Sequence, residues 1–283
     1  MSSQVTELPF LDELAPRFHL PVPEHLSAEA SGAEIRKAIE RWGGKALVKP
    51  DVQSGRRGKA GAVRLVKDYV EAQKELKRVQ GLDIGGRLPR TAYLVQYVPS
   101  DMEVYTAITY DSRYLGPAMT ISLAGGMDVE EVEEGKKITF PVDVYKGLDA
   151  YQASEVLRKL GFPAKVVSSL SRNLVELWDM FIASGMRMCE VNPWRISPEG
   201  KPYVCDFKAV FDEANVKFQN LGLELPEYPA NMTPFEEEMA SWNASSHQGQ
   251  AHVAELGGKR ILPILFGGGA STIITETLLQ DGG

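Results

Sequence analysis

Met188-Cys189-Glu190-Val191-Asn192-Pro193 and Tyr203-Val204-Cys205-Asp206-Phe207-Lys208 both alternate polar and apolar residues, the pattern of half-buried strands. Between them, Ser197-Pro198-Glu199-Gly200-Lys201 offers a tight turn. Pro198 suits the start of a type I turn, and Gly200 suits the left-handed position that closes a three-residue hairpin loop. Pairing Ser197 with Lys201 sets the register of the whole hairpin: Asn192 stands opposite Asp206, and Glu190 opposite Lys208. Those four side chains then share one face, and Cys189, Val191, Cys205 and Phe207 share the other, apolar face. The oxygen-rich face reads in two ways. It is a hard-oxygen site for Mg²⁺ bound to a nucleotide, or it is the polar outer face of a surface hairpin. This stretch alone leaves both open.

The 283-residue chain is long enough for two or three lobes with cores of their own. Its hydrophobic content of 43% and charged content of 24% are those of an ordinary soluble protein. A net charge of −7 speaks against a dedicated nucleic-acid or anionic-membrane binder, but a local basic patch would suffice for a phosphate ligand. Two cysteines make neither a disulfide framework nor a zinc spacing. Both are read as buried free thiols, which fits a reducing compartment. Met1 to Pro9 shows no basic segment leading into an apolar run, and no stretch approaches the ~20 apolar residues of a membrane span. The expectation is a cytoplasmic protein.

Along the chain, Leu8, Leu11, Leu14 and Ala15 form a helical stripe, and Leu20-Pro21-Val22-Pro23 is extended. A helix is expected over Gly32 to Arg41, then a strand at Ala46-Leu47-Val48-Lys49. Gln53-Ser54-Gly55-Arg56-Arg57-Gly58-Lys59-Ala60-Gly61 packs three glycines and three cations between that strand and another at Val63 to Val66. A glycine loop between two strands is neither a P-loop nor a dinucleotide fingerprint, since both of those open a helix. It can fold over phosphates with backbone N–H groups and guanidinium forks, or be a flexible basic loop. Lys49 could reach the same phosphates, which favours the first reading.

A helix over Asp68 to Gln80 should turn Val70, Leu76 and Val79 inward. Strands follow at Thr91 to Val98, Glu103 to Asp111 and Tyr114 to Leu123. The acidic run Asp128, Glu130, Glu131, Glu133, Glu134 reads as a solvated face. Helices over Tyr151 to Leu160 and Lys165 to Ala183 carry a packing stripe of Leu170, Leu174, Leu177, Trp178 and Phe181. A short helix is expected over Asp212 to Lys217, and the proline-rich Leu223 to Thr233 reads as a linker. Ile261 to Phe266 then reads as a strand, Gly267-Gly268-Gly269-Ala270-Ser271 as a glycine turn, and Thr272 to Gln280 as a helix. One strand and one helix cannot make a core, so this unit is read as cut short or completed by a partner.

Taken in order, Leu20-Pro21-Val22-Pro23, Val48-Lys49, Gly55 to Gly61, and Glu190-Val191-Asn192-Pro193 followed by Asp206 resemble the ATP-grasp portion of the succinyl-CoA synthetase β subunit and of ATP-citrate lyase. Arg56-Arg57-Gly58-Lys59 and Gly267 to Ser271 look closer to ATP-citrate lyase and citryl-CoA synthetase. The resemblance implies an α/β (α+β) chain: a two-lobed ATP-grasp fold over residues 1–222, then a linker and the start of a flavodoxin-like α/β domain over 223–283. The small lobe would cover about 20–98 and the large lobe 1–19 plus 99–222.

It further implies that Lys49 holds the α/β-phosphates of ATP and that Arg56, Arg57 and Gly58 cover the phosphate tail. Gln96 to Val98 would serve the adenine, Glu103 the ribose, and Asn192 with Asp206 Mg²⁺. Gly268, Gly269, Ala270 and Ser271 would meet substrate. Two positions depart from the family pattern: Gln96 stands where a glutamate is usual, and Ala124-Gly125-Gly126 replaces Glu-Gly-Gly. In the family a histidine is phosphorylated, citrate takes the phosphoryl group, and CoA captures citryl phosphate. His19, His25, His247 and His252 lie in no glycine-rich loop, so a partner segment or subunit in a hetero-oligomer is expected to supply that histidine. Glu190 is expected to orient it, and Arg57 to act with it in catalysis. The rival expectations are a succinyl-CoA synthetase or other ADP-forming acyl-CoA ligase, and a nucleotide-binding regulatory subunit.

Overall fold

The computed structural model describes residues 2–53, 57, 61–125, 135–212, 215–223, 233–245, 253, 255, 263–265 and 269–281. The chain divides into two units, Met1–Pro229 and Ala230–Gly283.

The first unit opens with β1 (Ser2–Val5), followed by three consecutive helical pieces: α1 (Glu7–Pro9), a wider π turn over Phe10–Leu14, and α2 (Ala15–Arg17). Leu8, Phe10, Leu11, Leu14 and Ala15 are all buried, as the stripe requires. Next come β2 (His25–Ser27), α3 (Gly32–Arg41), β3 (Ala46–Asp51), β4 (Arg64–Val66), α4 (Tyr69–Gln80) and β5 (Thr91–Gln96). Their strands make an antiparallel sheet in the order β2-β5-β3-β4. Ser31 starts α3 with a reciprocal pair of bonds to Glu34, and Asp68 caps α4; both satisfy N–H groups that a first helical turn leaves open. Ile35, Ala38 and Ile39 share a core with Ala72, Leu76, Val79, Ala46, Val48 and Leu94. Val70 corrects the expectation, because it is 73% exposed. Two residues turn a helix by about 200°, so Ala72 takes the inward place and Val70 faces water.

The rest of the unit carries β6 (Met102–Asp111), β7 (Gly116–Ser122), β8 (Lys137–Pro141), α5 (Ala150–Lys159), α6 (Ala164–Ala183), β9 (Met186–Ile196), β10 (Pro202–Val204), β11 (Phe207–Asp212) and α7 (Val216–Asn220). A second antiparallel sheet runs β1-β11-β9-β6-β7-β8, with β10 also pairing β9. Leu170, Leu174, Leu177, Trp178 and Phe181 of α6 pack into its core beside Trp194, Phe207 and Phe211. The expected helix over Asp212 to Lys217 is corrected: strand β11 extends to Asp212, and the helix starts at Val216 behind the Asn215 cap. β11 runs on because it is paired on both sides, by β9 and by β1.

In the second unit, α8 (Pro234–Ser245) starts with reciprocal bonds between Thr233 and Glu236. Residues 263–265 do not form the expected strand, and Ile264 is 74% exposed. Helix α9 (Gly269–Asp281) begins three residues before Thr272, because Gly269 is taken into its first turn. The acidic run at 126–134 and most of the linker, 224–232, lie outside the described residues. Among the described residues, no helix is long and apolar enough to cross a membrane.

Candidate functional site

Strand alternation sends Lys49, Asp51 and, just past the end of β3, Gln53 toward one side. There they meet the segment joining β1 to α1. Gln53 Nε2 donates to the Gln4 carbonyl at 3.1 Å, Thr6 Oγ1 to Asp51 Oδ1 at 2.6 Å, and Lys49 Nζ to Glu7 Oε1 at 2.6 Å. Arg90 clamps Asp51 from the other side, at 2.7 Å through Nε. This seam joins the smaller sheet to the first strand of the larger one.

At the end of the seam lies a buried charge cluster. Glu7 is fully buried, and it accepts from Lys49 on one oxygen and from Arg57 Nη2 on the other, at 3.1 Å. Lys49 also donates to the Cys205 carbonyl at 2.5 Å, and Arg57 to the Pro50 carbonyl at 3.3 Å. Arg57 makes a further, short charge-assisted bond to Asp206 Oδ1. Burial works against its charge, yet Asp206 and then Glu7 outweigh that and hold the guanidinium pKa well above its ordinary value. Burial, then the Glu7 charge, likewise keeps the neighbouring Tyr93 hydroxyl protonated. Cys205, expected to be buried, is half-buried; its thiol is pushed up to about 12, chiefly by burial. Cys189 is fully buried.

The hairpin has the register counted from its turn. Ser197 N donates to the Lys201 carbonyl at 2.9 Å, Asn192 N to the Asp206 carbonyl at 3.1 Å, and Glu190 pairs with Lys208. Asn192 and Asp206 therefore stand opposite each other, with Asp206 reaching Arg57. Burial raises the Glu190 carboxyl pKa, while Lys208 and a bond from Asn192 pull it the other way. Among the described residues, no group of three or more His, Cys, Asp or Glu could hold a metal by itself. Asn192 and Asp206 could supply two hard oxygen ligands to a divalent cation that takes its remaining ligands from phosphates and water.

Where the two sheets connect, the Gln96 backbone N donates to the Glu24 carbonyl at 2.8 Å, Val98 is buried, and Glu103 pairs with Arg195 at 3.0 Å. Arg195 also lies over the Tyr97 ring, 5.2 Å from its centre. Gly125 N donates to the Glu103 carbonyl, and a Cβ there would meet Glu103 C and Val104 N at 2.9 Å. Only glycine fits, which gives Gly125 a packing role beside Glu103.

Of the residues singled out in the sequence, Lys49, Arg57 and Asp206 come together, with Asn192 and Glu190 on the adjoining hairpin face. Gln96, Val98 and Glu103 lie along the connection between sheets. Arg56, Gly58 and Gly268 lie outside the described residues; Gly269, Ala270 and Ser271 fall at the start of α9 in the second unit. His19 is exposed and His25 bonds Asp12 at 2.7 Å, while His247 and His252 are outside the described residues. Sequence reasoning missed Glu7 and Arg195. Glu7 carries no local signal except a carboxylate next to an apolar stripe. Arg195 sits three residues after Asn192, within the hairpin already singled out.

A family model described as an ATP-grasp domain matches residues 12–196. The chain belongs to the ATP-grasp family. It is 31% identical, over 70% of its length, to the succinate–CoA ligase [ADP-forming] subunit beta of Solibacter usitatus (strain Ellin6076), covering 53% of that protein. This ATP-grasp chain thus spans about half the length of the curated relatives it matches. In fold it resembles ATP citrate lyase from Methanothrix soehngenii in complex with citrate and coenzyme A: TM-score 0.67 and 23% identity, covering all of this chain and 70% of that one. It also resembles the Ca. Korarchaeum cryptofilum dinucleotide-forming acetyl-coenzyme A synthetase 1 in complex with coenzyme A and Ca-AMPCP, among other components. That match has a TM-score of 0.57 and 16% identity, covering 74% of this chain and 93% of that one. Glu7 and Asp206 lie outside the span matched by the family model.

Proposed function

We propose that the chain is the ATP-binding part of an ADP-forming acyl-CoA-forming enzyme, and that the acid it helps to activate is citrate. The observation that carries the nucleotide reading is the convergence of Lys49, Arg57 and Asp206 where the two sheets meet, with Asn192 opposite Asp206. Lys49 and Arg57 neutralise phosphate charge, and Arg57 is shared between Asp206 and the incoming phosphates. Arg56 and Gly58 extend that cover over the tail. Gln96 to Val98 offer backbone groups to the base, and Glu103 its carboxylate to the ribose. A Mg²⁺ ion held by Asn192 and Asp206 would neutralise the same phosphates. Glu190, on the face it shares with Asn192, orients a histidine brought by a partner segment or subunit, fixing its tautomer so that the other nitrogen can attack phosphorus. Gly268, Gly269, Ala270 and Ser271 are assigned to the carboxylate substrate.

The choice of citrate is supported by the sequences Arg56-Arg57-Gly58-Lys59 and Gly267-Gly268-Gly269-Ala270-Ser271, and by the likeness of fold to ATP citrate lyase. Succinate is the second reading, favoured by the succinate–CoA ligase relatives in sequence. The test is to restore the partner chain and measure ADP release with ATP and CoA and each acid in turn. Citrate-dependent ADP release with citryl-CoA or acetyl-CoA as product is expected. Turnover with succinate alone would overturn the choice of acid. Failure of the chain to bind Mg·ATP at all would overturn the whole reading.

A further inference from the structure

Nothing in the proposed reaction uses Glu7, yet it is the most deeply buried member of the charge cluster. Lys49 and Arg57 bond the two oxygens of this one carboxylate, so two like charges lie within a few ångströms of each other in a water-poor place. Asp206 cannot replace it: Asp206 bonds Arg57, whereas the other partner of Lys49 is the Cys205 carbonyl, a dipole and not a charge. Two sets of contacts fix the backbone around Glu7. β1 pairs with β11 along Ser2 to Val5, and the seam ties Gln4 and Thr6 to Gln53 and Asp51.

We propose that Glu7 is a positioning residue of the phosphate site: it holds Lys49 and Arg57 side by side, one on each oxygen, before any nucleotide arrives. This rests on the nucleotide reading above. A buried ion pair is a poor device for stability alone, since well-packed apolar residues do as well or better. What it does provide is pre-organisation, so that two cations need not be gathered against their repulsion when the polyphosphate binds. The carboxylate stays behind the cations, since it is fully buried. The accessible side is that of Asp206, whose side chain is 40% exposed.

The test compares Mg·ATP with adenosine, which has no phosphate, on the full 283-residue chain and on Glu7→Gln. Glutamine keeps the shape but can accept from only one of the two cations. The expected result is a loss of Mg·ATP affinity of about tenfold or more, with adenosine changed by less than about twofold. Damage to the fold would weaken both ligands alike, and that result would overturn the proposal. Unchanged or tighter Mg·ATP binding would do the same. Glu7→Gln/Lys49→Met removes one charge of each sign and keeps the comparison valid should the single variant unfold. It should bind Mg·ATP within about threefold of Lys49→Met alone, because the effect of Glu7 runs partly through Lys49; independent, additive losses would sink the idea. If the unaltered chain binds adenosine but not Mg·ATP, the phosphate site itself fails, and that outcome is separate from any result with Glu7.

Discussion

Two hairpins bring charge to the candidate site, and they do so differently. β9 and β11 are joined through β10 by the tight Ser197 to Lys201 turn, and the turn sets every pairing out to Glu190 and Lys208. β3 and β4 are joined by a longer, glycine-rich connection, where the Arg57 carbonyl accepts from Ala62 N but its side chain is placed by Glu7, Pro50 and Asp206. In the first hairpin, position along the strand decides which way a side chain faces. In the second, residues brought from far along the chain decide it.

The comparison sharpens first on stability. Trp194 of β9 is fully buried and donates to Thr106 Oγ1 at 2.8 Å, so Trp194→Ala should cost about 3–5 kcal/mol in chemical denaturation. A loss below about 1 kcal/mol would remove the contrast between a packed hairpin and a loosely specified one. Next comes binding. Asp206→Asn withdraws an anionic ligand while leaving Arg57 its bond to Glu7, so calorimetry should show Mg·ATP affinity down by about tenfold with the fold retained. Normal affinity would detach the hairpin from the site. On the other hairpin, Gly61 has φ +65° in open space, and Gly61→Ala should cost about 1–2 kcal/mol through backbone strain alone. A neutral result would show that the loop adapts freely.

The smallest effect concerns Glu190. Burial raises its folded pKa above the ordinary 4.5. The folded state therefore binds the proton more tightly than the unfolded one, and stability falls as pH rises from about 4.5 through the raised value. Glu190→Gln should match the wild type below that window and exceed it above, by well under about 1 kcal/mol because the group is partly exposed and faces Lys208. Melting curves at the two ends of the range decide this. An advantage confined to acid pH would reverse the sign and refute it.

What was legible in the sequence follows the same divide. Helix α3 and the stripe of α6 could be read because their signals lie within a few residues: the spacing of Ile35, Ala38 and Ile39, and that of Leu170, Leu174, Leu177 and Phe181. Asn192 and Asp206 could be set opposite each other by counting from one turn. Ser31-x-x-Glu34 and Thr233-x-x-Glu236 offered capping signals for α3 and α8, and both went unread. β1 and β8 were not legible; four or five residues with no strong alternation become strands only because β11 and β7 are there to pair with them. The carboxylate that gathers Lys49 and Arg57 was invisible for the same reason. Glu7 is 42 residues from one and 50 from the other, and no local pattern reports such a meeting.

The outermost place of β1 in its sheet also sets an order in time. Its partner is β11, with Ser2 against Asp212 and Val5 against Ala209. A ribosome releases the first strand early and, at roughly 5–20 residues per second, the second only after about ten seconds or more. Through that interval the smaller sheet, whose strands all lie between His25 and Gln96, has everything it needs to form, while β1 has no strand beside it. Asp206 and the Cys205 carbonyl, which complete the surroundings of Arg57 and Lys49, emerge with the same late segment. A nascent chain thus builds its scaffold well before its site, and a product of interrupted synthesis holds the two cations without the hairpin that completes their surroundings.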